Sequence, residues 1–178
     1  MERIGEKMRL SPNFTLKELT RSETATRKGI NNNPSEDNIE NLQRLCENIL
    51  QPVRDHFKKV VSVSSGFRSP ELCIAIGSSV NSQHAHGQAA DFEIYGVSNK
   101  VLADYIVKNL DFDQCILEFW NKEEPNSGWV HCSFKNTEDN RKEYLRAQRG
   151  ADGKGVAYTK EYVKEDGPTQ EDVIESMM

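Results

Sequence analysis

The sequence predicts an α+β domain in which helices flank a central, mainly antiparallel sheet. Apolar residues recur at helical spacing from Ile39 to Val53 and from Val101 to Leu110. They alternate with polar residues around Val61 and Phe92, and two later strand-like stretches are joined by one polar loop. Segments of both periods, with a hairpin among the strands, build a layered α+β domain.

The elements follow in chain order. Thr15-Leu-Lys-Glu18 has the form of a capping box, so a short helix starts there. Asn31-Asn-Asn-Pro34 interrupts the chain. Ser35 then caps the main amphipathic helix: Glu36 and Asp37 suit the positive end of its dipole, and Ile39, Leu42, Leu45, Cys46, Ile49 and Val53 recur at helical spacing. Pro52 predicts a bend in it. Val61 and Val63 predict a strand ending at Gly66, and Ser69-Pro70 has the N-cap and N1 chemistry of a short helix that Gly77 closes. Phe92-Glu-Ile94 reads as a strand, after which Ser98 caps a helix carrying Val101, Leu102, Tyr105, Ile106 and Leu110. Gln114 to Trp120 and Trp129 to Phe134 form a hairpin around the loop from Asn121 to Gly128. A weaker hairpin is expected from Tyr144 to Ala147 and Val156 to Thr159, around a glycine-rich turn. The chain divides into a domain over 8–150 and a stretch over 151–178 that holds the remnant of this hairpin and an acidic tail.

At 178 residues, 36% apolar and 29% charged, the chain can bury a core unaided, so a metal site within it serves function rather than folding. A net charge of -5 argues against a nucleic-acid partner, whose phosphates need a basic face. The group Arg141, Lys142, Arg146 and Arg149 reads as a solvated face. Cys46, Cys73, Cys115 and Cys132 form no CxxC pair and read as reduced core residues. No apolar run approaches the roughly twenty residues of a membrane span, so no membrane insertion is expected. The charged start Met1-Glu-Arg-Ile-Gly-Glu-Lys7 lacks a secretory apolar run, which predicts synthesis in the cytoplasm without a signal peptide. Oligomeric state is left open.

Chemistry concentrates in Ser82-Gln-His84-Ala-His86-Gly87-Gln-Ala89-Ala90-Asp91. His84 and Asp91 are good zinc ligands, at a spacing that suits a loop running into a strand. Gly87, Ala89 and Ala90 are expected to remove bulk where backbone approaches an ion. Among His56 and His131, the latter is the better third ligand, because strand alternation turns it away from Val130 and Cys132. His86 reads as a solvated loop residue and His56 as an ordinary helix residue. Symmetric closure of the 121–128 loop pairs Trp120 with Trp129 and Glu118 with His131, placing a carboxylate beside the metal site where it can take a proton from water.

The run Ser82-x-His84-x-x-Gly87-x-Ala89-x-Asp91, with Trp129-Val-His131 after it and Ser65-Gly-Phe-Arg68-Ser before it, resembles the zinc D-alanyl-D-alanine carboxypeptidase family. These are peptidoglycan metallopeptidases that share a fold with the hedgehog signalling domain, and the overall layout is similar to small cell-wall peptidases of bacteriophages and their hosts. The resemblance spans Ser11 to Ala147. It implies Zn2+ held by His84, Asp91 and His131, Arg68 steadying substrate and oxyanion, and Glu118 as general base. Some branches place the base three residues before the last histidine, or use a second histidine two before it; here those positions are Gly128 and Trp129. Ser82 and Trp129 are expected near the substrate. The implied activity is cleavage of peptidoglycan stem peptides as a carboxypeptidase or endopeptidase, at the cell wall, after phage-type release as an endolysin or from a virion. Two other readings stand beside it: a non-catalytic module of this fold, as in a phage particle, and a hydrolase of small peptides inside the cell.

Overall fold

The computed structural model describes residues 7–164. A small ladder of β1 (Arg9–Ser11) and β2 (Phe14–Thr15) leads into α1 (Leu16–Thr20), which starts where the Thr15 hydroxyl accepts from the Glu18 N–H at 3.3 Å. The Glu18 carboxylate in turn lies 3.4 Å from the Thr15 hydroxyl, so the expected box closes through side chains. Helix α2 (Glu23–Lys28) was not legible in advance. Ser22 caps it and Gly29 ends it at φ 66°, but it buries only Ala25, so it carries no apolar stripe for periodicity to reveal.

Helix α3 (Glu36–Leu45), a π turn over Cys46–Leu50 and α4 (Gln51–Phe57) form one helical rod. The distortion expected at Pro52 lies in the turn before it. Pro52 has no N–H, and its ring crowds the carbonyl four residues back, so the turn widens and the Gln51 N–H reaches the Cys46 carbonyl. Then come β3 (Val61–Ser65), α5 (Pro70–Ala75), a 3-10 turn over Gln83–His86, β4 (Ala89–Ile94) and α6 (Asn99–Asn109). Strands β5 (Gln114–Glu118), β6 (Trp129–Ser133), β7 (Glu143–Arg149) and β8 (Val156–Lys160) complete the described chain. Ser98 sits at the α6 N-cap position but makes no side-chain capping bond there.

Six strands form one sheet in the order β3-β4-β6-β5-β7-β8, antiparallel throughout except for the parallel pair β5–β7. This is the α+β architecture expected from the sequence. Alternation gives the sheet two chemistries. One face presents Phe92, Val130 and Leu117 to a single apolar core shared with Leu42, Leu45 and Ile49 of the rod and with Leu102 and Ile106 of α6. Each such buried aliphatic side chain contributes about 2 kcal/mol. The other face carries Asp91, His131 and Glu118. All four cysteines are free and buried, and no helix among the described residues is long and apolar enough to cross a membrane.

The β5–β6 register differs from the expected one. Glu118 pairs with Trp129 and Ile116 with His131. The ladder stops there because Phe119 turns out of the strand at φ 53°. Gly128, at φ 68°, comes so near that a Cβ would stand 1.9 Å from the Glu118 carbonyl oxygen. The loop therefore takes in residues 119–128 rather than 121–128. A slip of two residues, unlike a slip of one, leaves every side chain on its expected face.

The β7–β8 hairpin forms as expected and extends the sheet beyond residue 150. The first residues after it are pinned: Arg146 donates to Glu161 at 2.6 Å, and Lys100 Nζ donates to the Tyr162 carbonyl at 2.6 Å. The acidic tail over 165–178 lies outside the described residues. Two members of the expected solvated basic face are thus committed, since Arg146 binds Glu161 and Arg141 binds Asp113.

Asp113 is fully buried. Its Oδ1 accepts from Arg141 N and Nε at 2.9 and 3.0 Å, and its Oδ2 accepts from Arg141 Nη2 and Gln83 Nε2, both at 2.8 Å. It thereby fixes the turn bearing His84 to the strand layer. Burial opposes its charge, yet the bonds from Arg141 and Gln83 hold the carboxyl down to about 2, against an ordinary 3.8. A lowered folded-state value adds stability that is complete above the unfolded value and is lost as pH falls from about 4 toward 2; here the loss is on the order of 2 kcal/mol. Asp113→Ala should lower urea stability at pH 7 by about 3 kcal/mol and flatten that acid limb. A variant as stable as the wild type at pH 7 would contradict the assignment.

Candidate metal centre

Asp91 on β4 pairs directly with His131 on β6, so both side chains leave the sheet on one face, side by side. His84 arrives from the 3-10 turn. Asp91 Oδ1 lies 2.9 Å from His131 Nδ1 and 3.4 Å from His84 Nε2, and the three residues offer ligand atoms all within 4.8 Å of one another. His84 Nδ1 lies 2.7 Å from the Gly66 carbonyl oxygen, which can only accept, so Nδ1 carries the proton and Nε2 presents its lone pair. Gly66 is required there: a Cβ would stand 2.3 Å from the Leu19 carbonyl oxygen.

The turn that carries His84 is built locally. The Ser82 hydroxyl accepts from the His84 N–H at 3.2 Å, and Gly87 closes the turn at φ 73°. A Cβ on Gly87 would meet the Asn38 carbonyl of α3 at 2.5 Å. This glycine therefore lets the turn dock on the rod, and the expectation that it clears space for an ion is corrected. Ala90 likewise belongs to the core face.

The electrostatics favour ligation. Burial lowers the pKa of His84, although Asp91 pulls the other way, and so favours the neutral imidazole that a metal binds. Burial alone would raise the Asp91 value, but the hydrogen bond from His131 outweighs it and holds the carboxyl well below the usual carboxylate range. Two imidazole nitrogens and a carboxylate oxygen, with one tautomer fixed by a backbone carbonyl, are a donor set that fits zinc.

The group opens into a cleft of about 390 Å³ that is also lined by Arg68, Ser82, Glu118 and Trp129. Arg68 Nη2 donates to Asp91 Oδ2 at 3.1 Å and its Nε to Ser65 Oγ at 2.9 Å, leaving Nη1 without a partner among the described residues. Glu118 stands diagonal to His131, about 7–8 Å away by sheet geometry. Burial raises its pKa and the Asp91 charge adds to this, while His131 and Arg68 oppose it. Trp129 lies 5.5 Å from the Phe119 ring, and its buried Nε1 has no partner among the described residues. His86 is exposed and does not line the cleft, whereas His56 stacks on Tyr105 at 3.9 Å. Cys132 faces the core beside Cys115 and Ala90, as alternation requires.

Two residues escaped the sequence reading. Gln83 links the turn to Asp113, and Tyr158 of β8 lines the cleft. The signal for Tyr158 was the alternation of Val156, Tyr158 and Lys160 after a glycine-rich turn, which says nothing of where that strand pairs.

A family model for peptidase M15 matches residues 12–133, well over half of the chain, and the chain belongs to that family. No curated protein matches it.

Zinc titration followed by calorimetry or thermal shift checks the donor set. The wild type should bind one ion per chain and gain thermal stability from it, and His84→Ala and His131→Ala should each abolish tight binding. Gly66→Ala, which touches no ligand atom but displaces the carbonyl that orients His84, should weaken binding by about 10- to 100-fold. Unchanged stoichiometry and affinity in the histidine variants would refute the site.

Proposed function

We propose that this member of the peptidase M15 family is a zinc-dependent peptidase that cleaves peptidoglycan stem peptides, as a D-Ala-D-Ala carboxypeptidase or an endopeptidase. The observation that carries the reading is the sharing of one open cleft by a zinc-type donor set, a carboxylate of raised proton affinity and an arginine with donors to spare. Zinc, when bound by His84, Asp91 and His131, polarises a scissile carbonyl and makes water easier to deprotonate. Glu118, diagonal to His131 on the same face, takes the proton from the attacking water and returns it to the leaving amine. Arg68, steadied by Asp91 and Ser65, uses Nη1 on a substrate carboxylate or the developing oxyanion. Trp129 and Ser82 border the bound peptide. Action at the cell wall, with release of the phage-endolysin type, belongs to the same proposal.

Incubation of the purified protein with sacculi of several wall chemotypes, with and without chelator, tests this by mass spectrometry of the new peptide termini. Metal-dependent cleavage within or between stem peptides is the expected result, and no cleavage of any wall type by zinc-loaded protein would overturn it. Glu118→Gln should keep zinc and lower kcat by about 10²- to 10⁴-fold; retained turnover would move the base elsewhere.

A further inference from the structure

Strand β8 buries none of its own residues: all five are exposed, Tyr158 at 56%. Tyr158 nevertheless lines the same cleft as His84, Asp91 and His131. The register explains how. Trp129 pairs with Glu118, Glu118 with Ala147 and Ala147 with Tyr158, which sets these residues in one row across β6, β5, β7 and β8. Ala147 separates Glu118 from Tyr158 in that row and is itself fully buried. Burial pushes the Tyr158 hydroxyl up, and the Glu118 carboxylate adds to this. A large aromatic side chain that packs into no core, yet walls a cleft, has its apolar face available to a ligand.

Sheet geometry then sets a length. Neighbouring strands lie about 4.8 Å apart, so β8 stands about 14 Å from the β6 strand that carries His131, a distance an extended peptide covers in about four residues. An extended dipeptide, about 7 Å long, spans only about half that distance. Arg68 lies at the other end of the cleft, beside β3 and β4.

We propose that β8 forms a distal wall of the substrate cleft, and that Tyr158 packs on a peptide substrate several residues from the scissile bond, selecting longer peptides over dipeptides. This rests on the peptidase reading given above. With Arg68 holding the carboxylate side, Tyr158 meets the amino-terminal side of the substrate. The wall lies beyond residues 12–133, the stretch that the family model matches.

Two measurements on the full chain test it. The first is steady-state cleavage of synthetic stem peptides of two to five residues by zinc-loaded wild type, Tyr158→Phe and Tyr158→Ala. For the four- and five-residue peptides Tyr158→Ala should raise KM about tenfold with kcat nearly unchanged, Tyr158→Phe should restore most of the loss, and the two-residue peptide should show no difference. An equal effect at every length, or none at any length, overturns the proposal. The second is calorimetric binding of the same peptides to the protein without added zinc, where Tyr158→Ala should weaken only the longer ones by a similar factor. Should the wild type cleave no peptide, the peptidase reading fails while this binding comparison still decides the role of Tyr158. Binding that is absent, or equal in wild type and variant, rejects it.

Discussion

The Asp91 carboxylate divides its two oxygens between three partners. Oδ1 faces both imidazoles, at 2.9 Å from His131 and 3.4 Å from His84, and Oδ2 takes the Arg68 guanidinium at 3.1 Å. A buried carboxylate without donors would give up its charge by taking a proton; the bonds from His131 and Arg68 keep it ionised. Every other feature of the site is arranged about this one group. The two histidines come from elements far apart in the chain, and Arg68 belongs to the loop after β3.

Several devices hold those elements to Asp91, and each is specific to a residue type. Direct pairing of β4 with β6 aligns Asp91 with His131. Close approach of Gly66 to α1 puts a carbonyl against His84 Nδ1, and close approach of Gly87 to α3 seats the turn on the rod. Asp113 ties Gln83, the residue before His84, to Arg141 at the approach to β7. A rigid sheet face therefore carries two donor groups while a braced turn supplies the third. Pre-organisation of this kind spares the protein the cost of ordering the ligands when an ion binds.

Much of this was legible in the sequence where the information is local. The run from Ser82 to Asp91 compresses a capped turn and the first strand residues into ten positions, and His131 needed only alternation to be assigned a face. Glu118 was placed on the right face through the wrong partner. The expected hairpin was off by two residues because the loop length depends on the positive φ of Phe119 and the approach of Gly128, which no alternation pattern encodes. What stayed hidden is non-local. The parallel β5–β7 pair, the Asp113 hub and the position of Tyr158 all follow from which strands become neighbours, and the pattern that predicts β8 as a strand does not say what its exposed side chains face. Pro52 shows the intermediate case, where the residue signals a distortion but the backbone decides which turn absorbs it.

The most direct measurement is anomalous diffraction at the zinc edge from crystals grown with one equivalent of zinc. A single peak is predicted between His84 Nε2, Asp91 Oδ1 and a ring nitrogen of His131, with ligand distances of about 2.0–2.2 Å and Glu118 outside the coordination shell. A peak elsewhere, or one that takes Glu118 in place of Asp91, would contradict the assignment of Asp91 as the group on which the site is built.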